Sequence, residues 1–159
     1  MLNQNDSDIV CITETWLSNE IPNVAIALKD FTLFRKDRER RGGGIATLWL
    51  QIRPCRLPRA VSSILIAVVY HASVDDNFKL YDHIQDVVDS YLLGHSDSLI
   101  CIVGEFNPNS TKISPNRFRE LCGLIQIVKM FTRDSGILDW CLTNKPKIMS
   151  LPKRLPKIG

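Results

Sequence analysis

Histidine is scarce in this chain: there are three, and none follows His95. His83 and His95 stand far in sequence from any strand-end acid, and a lone His71 reads as a surface residue rather than a ligand. The five cysteines (Cys11, Cys55, Cys101, Cys122, Cys141) show no CxxC and no Cys/His metal spacing. Cys11, Cys101 and Cys141 sit inside apolar runs and read as buried small hydrophobes in a reducing, intracellular compartment, nucleus or cytoplasm. No signal peptide is visible in the polar residues 1–8. The longest apolar run, Ile64 to Tyr70, is far too short to span a membrane, so no membrane partner is expected. A net charge of only +3 gives no global field for nucleic acid, so any basic patch must be local. Gly42-Gly43-Gly44 lacks a following Lys-Ser/Thr and enters a strand, which argues against a phosphate-cradling loop. There is no internal repeat, low-complexity tract or linker. What remains is a soluble globular composition, 45% hydrophobic and 23% charged, with 159 residues to bury one core.

The most informative stretch runs from Ser98 to Ser110. It opens with a short, β-branched apolar run that reads as a fully buried strand. Gly104 ends that run, and Glu105 and Asn107 follow two apart. In an extended chain they point to one face, with Phe106 turned to the other. Pro108 and Asn109 turn the chain away. Two readings stay open: a polar site at a strand rim, or a strand followed by a polar turn.

Asp8 to Thr15 reads as a second buried strand, with Glu14 at its end as Glu105 is at the other. Two strand-end acids suit a hard divalent cation such as Mg²⁺; the plainer reading of Glu14 is a solvated carboxylate. Phe31–Phe34 is a short alternating strand, and the glycines make a hairpin turn into the strand Ile45–Leu50. Between them Arg35 to Arg41 is a charge run, either a solvated loop or a phosphate contact. Ser62–Tyr70 is a further buried strand. Lys79–Leu93 carries apolar residues at helical spacing with Gly94 as its stop, and Asp82, Asp86 and Asp89 on the solvated side. Ser114-Pro115 opens a second helix with Phe118, Leu121, Cys122 and Ile125 on its apolar face. Gln126–Phe131 reads as a short strand and Thr132–Gly136 as a loop. In the last strand, Ile137–Thr143, Asp139 is either a structural acid or a carboxylate facing a site. From Asn144 the chain is basic and proline-containing, a solvated tail or a phosphate contact. Many strands, mostly hairpin-linked, with two helices predict an α+β fold.

Five segments in order resemble the endonuclease/exonuclease/phosphatase family, the DNase I-like group, and within it the endonuclease domains of non-LTR retrotransposons. They are Asp8–Leu17, Phe34–Arg38 followed by Gly42–Ala46, Val68-Val-Tyr70, Val103-Gly-Glu-Phe-Asn107 and Ser135–Trp140. The resemblance implies a four-layer α/β/β/α sandwich that cleaves DNA phosphodiesters with Mg²⁺. Glu14 matches the family's metal-binding glutamate and Tyr70 the tyrosine at the scissile phosphate. Asn107 matches the asparagine of the Gly-Asp-Phe-Asn motif, Glu105 takes the place of that motif's aspartate, and Asp139 matches the acid that supports the catalytic histidine.

The chain departs from the family at three points. Position 105 is Glu where the family has Asp; a shift of roughly 1 Å can cost ~10²-fold in rate. The closing Ser-Asp-His segment with its histidine is missing. The first strand with its metal-site asparagine is missing too, and Asn3 and Asn5 do not replace it. The expectation is a single partial domain over residues 1–159, ending in a basic tail at 144–159, with weak or lost activity. The alternative is a non-catalytic remnant that keeps some nucleic-acid binding; a small-molecule or lipid phosphatase is a third reading.

Overall fold

The structure is a computed structural model that describes residues 8–13, 15, 17–18, 20–27, 29–36, 46–72, 77–108, 112–133 and 136–154. Its elements are the single turn α1 (Asn23–Ile26), β1 (Ala46–Ile52), β2 (Ile64–Tyr70), α2 (Asn77–Gly94), β3 (Leu99–Glu105), α3 (Pro115–Cys122), β4 (Ile125–Gln126), β5 (Asp139–Thr143) and a 3-10 turn at Pro146–Ile148. Among the described residues the strands form one five-stranded sheet in the order β1-β2-β3-β5-β4. β2 and β3 are parallel and every other pair is antiparallel. The chain is therefore α+β with a mixed sheet. β1 and β2 are adjacent antiparallel strands, as hairpin linkage predicts. β2 and β3 are not: a parallel pair needs a crossover, and α2 supplies it.

Alternation along the strands divides the sheet into two faces. Leu65, Ala67, Val69, Ile100, Ile102, Trp140 and Leu142 share one face and are buried. They pack with Leu80, Tyr81, Ile84 and Val88 of α2 and with Phe118 of α3 in one core. Phe106, the first residue past β3, joins this core as expected: it stacks on Trp140 at 4.9 Å and meets Phe118 edge-on at 5.8 Å. Tyr81 lies 4.7 Å from Phe118 and so ties the two helices together. On β1 the indole Nε1 of Trp49 donates to Nε2 of His83 on α2, at 3.1 Å.

Local signals set the helix ends. The Ser114 hydroxyl accepts from the Asn116 amide at 3.3 Å, and Pro115 occupies the first turn. Gly123 closes α3 in the left-handed conformation, φ 65°. Ile125 therefore lies beyond this helix, exposed in β4, and is not on the helix's apolar face. β4 itself is only two residues long, shorter than the strand expected over 126–131.

Two expected strands do not form. Residues 8–13 and 31–36 lie outside the sheet. Ile9 and Ile12 are 48% and 59% exposed, and Cys11 is exposed rather than buried. β-branched composition favours an extended chain, but a strand needs a neighbour for its N–H and C=O groups. Cys11 and Thr13 instead line a cavity of about 440 Å³ over the second face of the sheet, opposite Val68, Val103 and Cys141. Residues 31–34 keep the alternating burial of a strand without its ladder. The glycine turn at 42–44 and the charge run beyond Lys36 lie outside the described residues. Arg35, the first cation of that run, donates to the carbonyls of Ser18 and Ile21, both at 2.7 Å, and so fastens the turn around α1.

Gly104 does not end the strand; it sits inside β3, opposite Val69. Its φ is 140°, and a Cβ there would lie 1.8 Å from the Val69 carbonyl oxygen. Backbone strain and overpacking each cost about 1–3 kcal/mol. Gly104→Ala is expected to lower unfolding stability by about 3 kcal/mol or more, read as a fall in the urea midpoint. An unchanged midpoint would contradict this close approach of the two backbones.

Candidate functional site

The parallel pairing of β2 with β3 brings their C-terminal ends together, which is where open α/β sheets place polar sites. The register is Tyr70↔Glu105 between β2 and β3, and Glu105↔Asp139 between β3 and β5. Directly paired residues share a face, so Tyr70, Glu105 and Asp139 form one row across three strands. At a strand spacing of about 4.8 Å the row spans about 10 Å. All three side chains belong to the second face, opposite the helices. Three of the five residues singled out in the sequence thus come together. Glu14 lies outside the described residues.

Glu105 is the buried member, 5% exposed, whereas Asp139 is exposed and Tyr70 half-buried. A buried carboxylate needs a compensating partner. Glu105 has Arg133, whose Nη1 stands 3.9 Å from Oε1. Arg133 comes from the loop before β5. There the amide of Gly136 donates to the carbonyl of Arg133 at 2.7 Å, and the Arg133 amide returns a bond to the Gly136 carbonyl at 3.2 Å. The Thr132 hydroxyl accepts from the amides of Leu138 and Asp139, at 3.0 and 3.1 Å, and fixes the start of β5 beside this turn. The sequence identified these residues only as a loop. A charge that closes onto a strand-end acid from 28 positions away leaves no periodic trace.

Asn107 does not continue the extended chain. β3 stops at Glu105, and Asn107 adopts φ 46°. The rule that places residues i and i+2 side by side therefore fails between Glu105 and Asn107. The amide Nδ2 of Asn107 donates to the carbonyl of His71 at 2.8 Å, while the His71 amide donates to the Glu105 carbonyl at 2.9 Å. The carboxamide therefore fastens the ends of β2 and β3, and its left-handed backbone suits asparagine better than most residues. His71 is fully buried, not a surface residue.

The basic tail also approaches the row. Lys153 and Arg154 line the cavity of about 440 Å³ together with Thr132 and Asp139. Among the described residues, no group of three or more His, Cys, Asp or Glu side chains is placed to hold a metal ion. Glu105 and Asp139 are nonetheless two hard oxygen donors on adjacent strands, and Mg²⁺ is commonly held by one or two carboxylates plus phosphate oxygens. No helix among the described residues is long and apolar enough to cross a membrane.

The arrangement is an α+β domain with an acid-rich row at the C-terminal ends of a parallel strand pair. Comparison with family models, with curated proteins and with solved structures finds no match.

Replacing Asn107 separates its backbone role from any chemical one. Asn107→Ala is expected to cost about 1–2 kcal/mol of stability, from the lost bond to His71 and the left-handed backbone. Asn107→Asp should cost at least as much at neutral pH, since an acceptor would then face the His71 carbonyl. Urea unfolding of both variants checks the order.

Proposed function

We propose that the chain is a Mg²⁺-dependent phosphodiester hydrolase, a DNA endonuclease-like domain of retroelement type within a four-layer sandwich. The observation that carries this reading is the shared row of Tyr70, Glu105 and Asp139, residues far apart in sequence that the resemblance to the endonuclease/exonuclease/phosphatase family singles out. Hydrolysis of a phosphodiester needs an activated water, neutralised phosphoryl oxygens and a stabilised leaving oxygen. Glu105 is the base that takes the proton from the attacking water. Tyr70 supplies a neutral hydroxyl donor to the phosphate, and Arg133 a cation beside the base. Glu14 would hold the Mg²⁺, which would supply charge neutralisation at the phosphate, and Asp139 is the second carboxylate beside the base. Asn107 acts by fastening the strand ends that carry Tyr70 and Glu105.

A second reading also has a specific observation behind it. Glu105 is nearly enclosed and faces Arg133, and the Asn107 amide is spent on backbone. A scaffold that keeps these contacts for stability and binds DNA through Lys153 and Arg154 would look the same.

Nicking of supercoiled plasmid in Mg²⁺ distinguishes the two. The hydrolase reading expects slow nicking that falls by ~10²-fold or more in Glu105→Gln and in Glu14→Ala. Nicking that survives both substitutions would overturn the assignment. The scaffold reading expects no nicking but salt-dependent DNA binding that weakens when Lys153 and Arg154 are neutralised, with a shallower salt slope.

A further inference from the structure

We propose that Cys101 and Cys141 form a redox-active dithiol that a small hydroperoxide converts into an intramolecular disulfide. This goes beyond the hydrolase reading and stands independently of it. The two cysteines lie on neighbouring antiparallel strands, β3 and β5. In the register Cys101↔Thr143 and Val103↔Cys141 they are diagonal neighbours on the second face. Diagonal positions ordinarily stand about 7–8 Å apart. The two side chains turn toward each other across that spacing, and their sulfurs stand 3.9 Å apart, within thiol hydrogen-bond contact. A disulfide needs about 2.05 Å, so side-chain rotation and a small strand adjustment must supply the rest.

The two thiols are chemically unequal. The Cys101 and Cys141 thiols share a hydrogen-bond contact in which either sulfur can donate. That bond, and then burial, keeps the Cys101 proton on, and the same bond draws Cys141 below the ordinary thiol value. We assign Cys141 as the nucleophile on this direction together with its access. It also lines the cavity of about 440 Å³ shared with Cys11, Val68 and Met130, so a small oxidant has a path to it. The Cys141 thiolate attacks one peroxide oxygen. The O–O bond breaks, water leaves after protonation, and Cys141 becomes a sulfenic acid. The Cys101 sulfur then displaces the hydroxyl group, giving the disulfide and a second water. Two thiols are oxidised and one peroxide is reduced. The resulting bridge would tie together the strands that carry Glu105 and Asp139.

The remaining thiols are controls. Cys11 lines the same cavity and is the natural competitor. Cys55 is exposed elsewhere, and burial, followed by the charge of Asp89, pushes Cys122 up to about 11. The test treats the full chain with hydrogen peroxide, then digests it without reductant and maps the products by mass. The expected result is a Cys101–Cys141 linked peptide lighter by two hydrogens, formed equally in Cys11→Ser. In Cys101→Ser no bridge should form, and dimedone should trap a sulfenic acid at Cys141. A bridge from Cys11 to either cysteine, or oxidation at Cys55 while Cys101 and Cys141 stay reduced in the wild-type chain, would overturn the proposal. The wild-type map decides the matter even if a serine variant fails to fold.

Discussion

The parallel pairing of β2 with β3 is the constraint on which the rest of the structure depends. Seven residues of each strand are in register, from Ile64↔Leu99 to Tyr70↔Glu105. Near the end of that pairing the two backbones come so close at Val69 and Gly104 that no side chain fits. Past it, the Asn107 amide and the His71–Glu105 backbone bond hold the strands together for one more step. The row of Tyr70, Glu105 and Asp139 exists only while this register holds. A one-residue slip would send Tyr70 or Glu105 to the helix side. At the opposite end of the same pair, Ser63 and Ser98 are buried and bond to each other at 2.7 Å, and Ser63 also meets the Tyr91 hydroxyl at 2.9 Å. Hydrogen bonds thus secure both ends of the central pairing.

Much of the helical side of the fold is legible in the sequence because its signals are local. Apolar spacing over Lys79–Leu93 marks most of the helix Asn77–Gly94, and Ser114-Pro115 marks the start of the following helix, whose end at Gly123 comes before Ile125, the last residue of its expected apolar face. The central strands are equally clear as short β-branched runs. The N-terminal runs mislead because composition reports that a segment favours extension, not that it has found a neighbour. Residues 8–13 have the composition of a strand and none of its pairing. His71 misleads for the opposite reason. A single polar residue after a strand looks like surface, yet His71 is fully buried where the ends of β2 and β3 are bonded together.

The site is legible in part. Tyr70 and Glu105 are visible as polar residues at the ends of apolar runs and Asp139 as an acid inside one, and the resemblance groups them. Their register is a tertiary fact, set by one parallel and one antiparallel ladder that no local signal encodes. Arg133 is invisible for the same reason. Asn107 is visible as a residue, but its role changes: a carboxamide expected beside the acid holds a backbone carbonyl instead.

Glu105 brings these points together. Its Cα is fixed by pairing on both sides, with Tyr70 and with Asp139. Only the length of the side chain remains to decide where the carboxylate sits. With glutamate it reaches to 3.9 Å from Arg133 while staying almost wholly enclosed. An aspartate on the same Cα would draw the carboxylate back by roughly 1 Å and leave Arg133 farther from a buried charge. The glutamate at position 105 is therefore tied to its surroundings. It is matched by an arginine that the loop before β5 delivers to the longer side chain. That pairing bears on either reading of the site: a base at position 105 works with a guanidinium beside it, and a scaffold without the chemistry keeps the same guanidinium beside its buried charge.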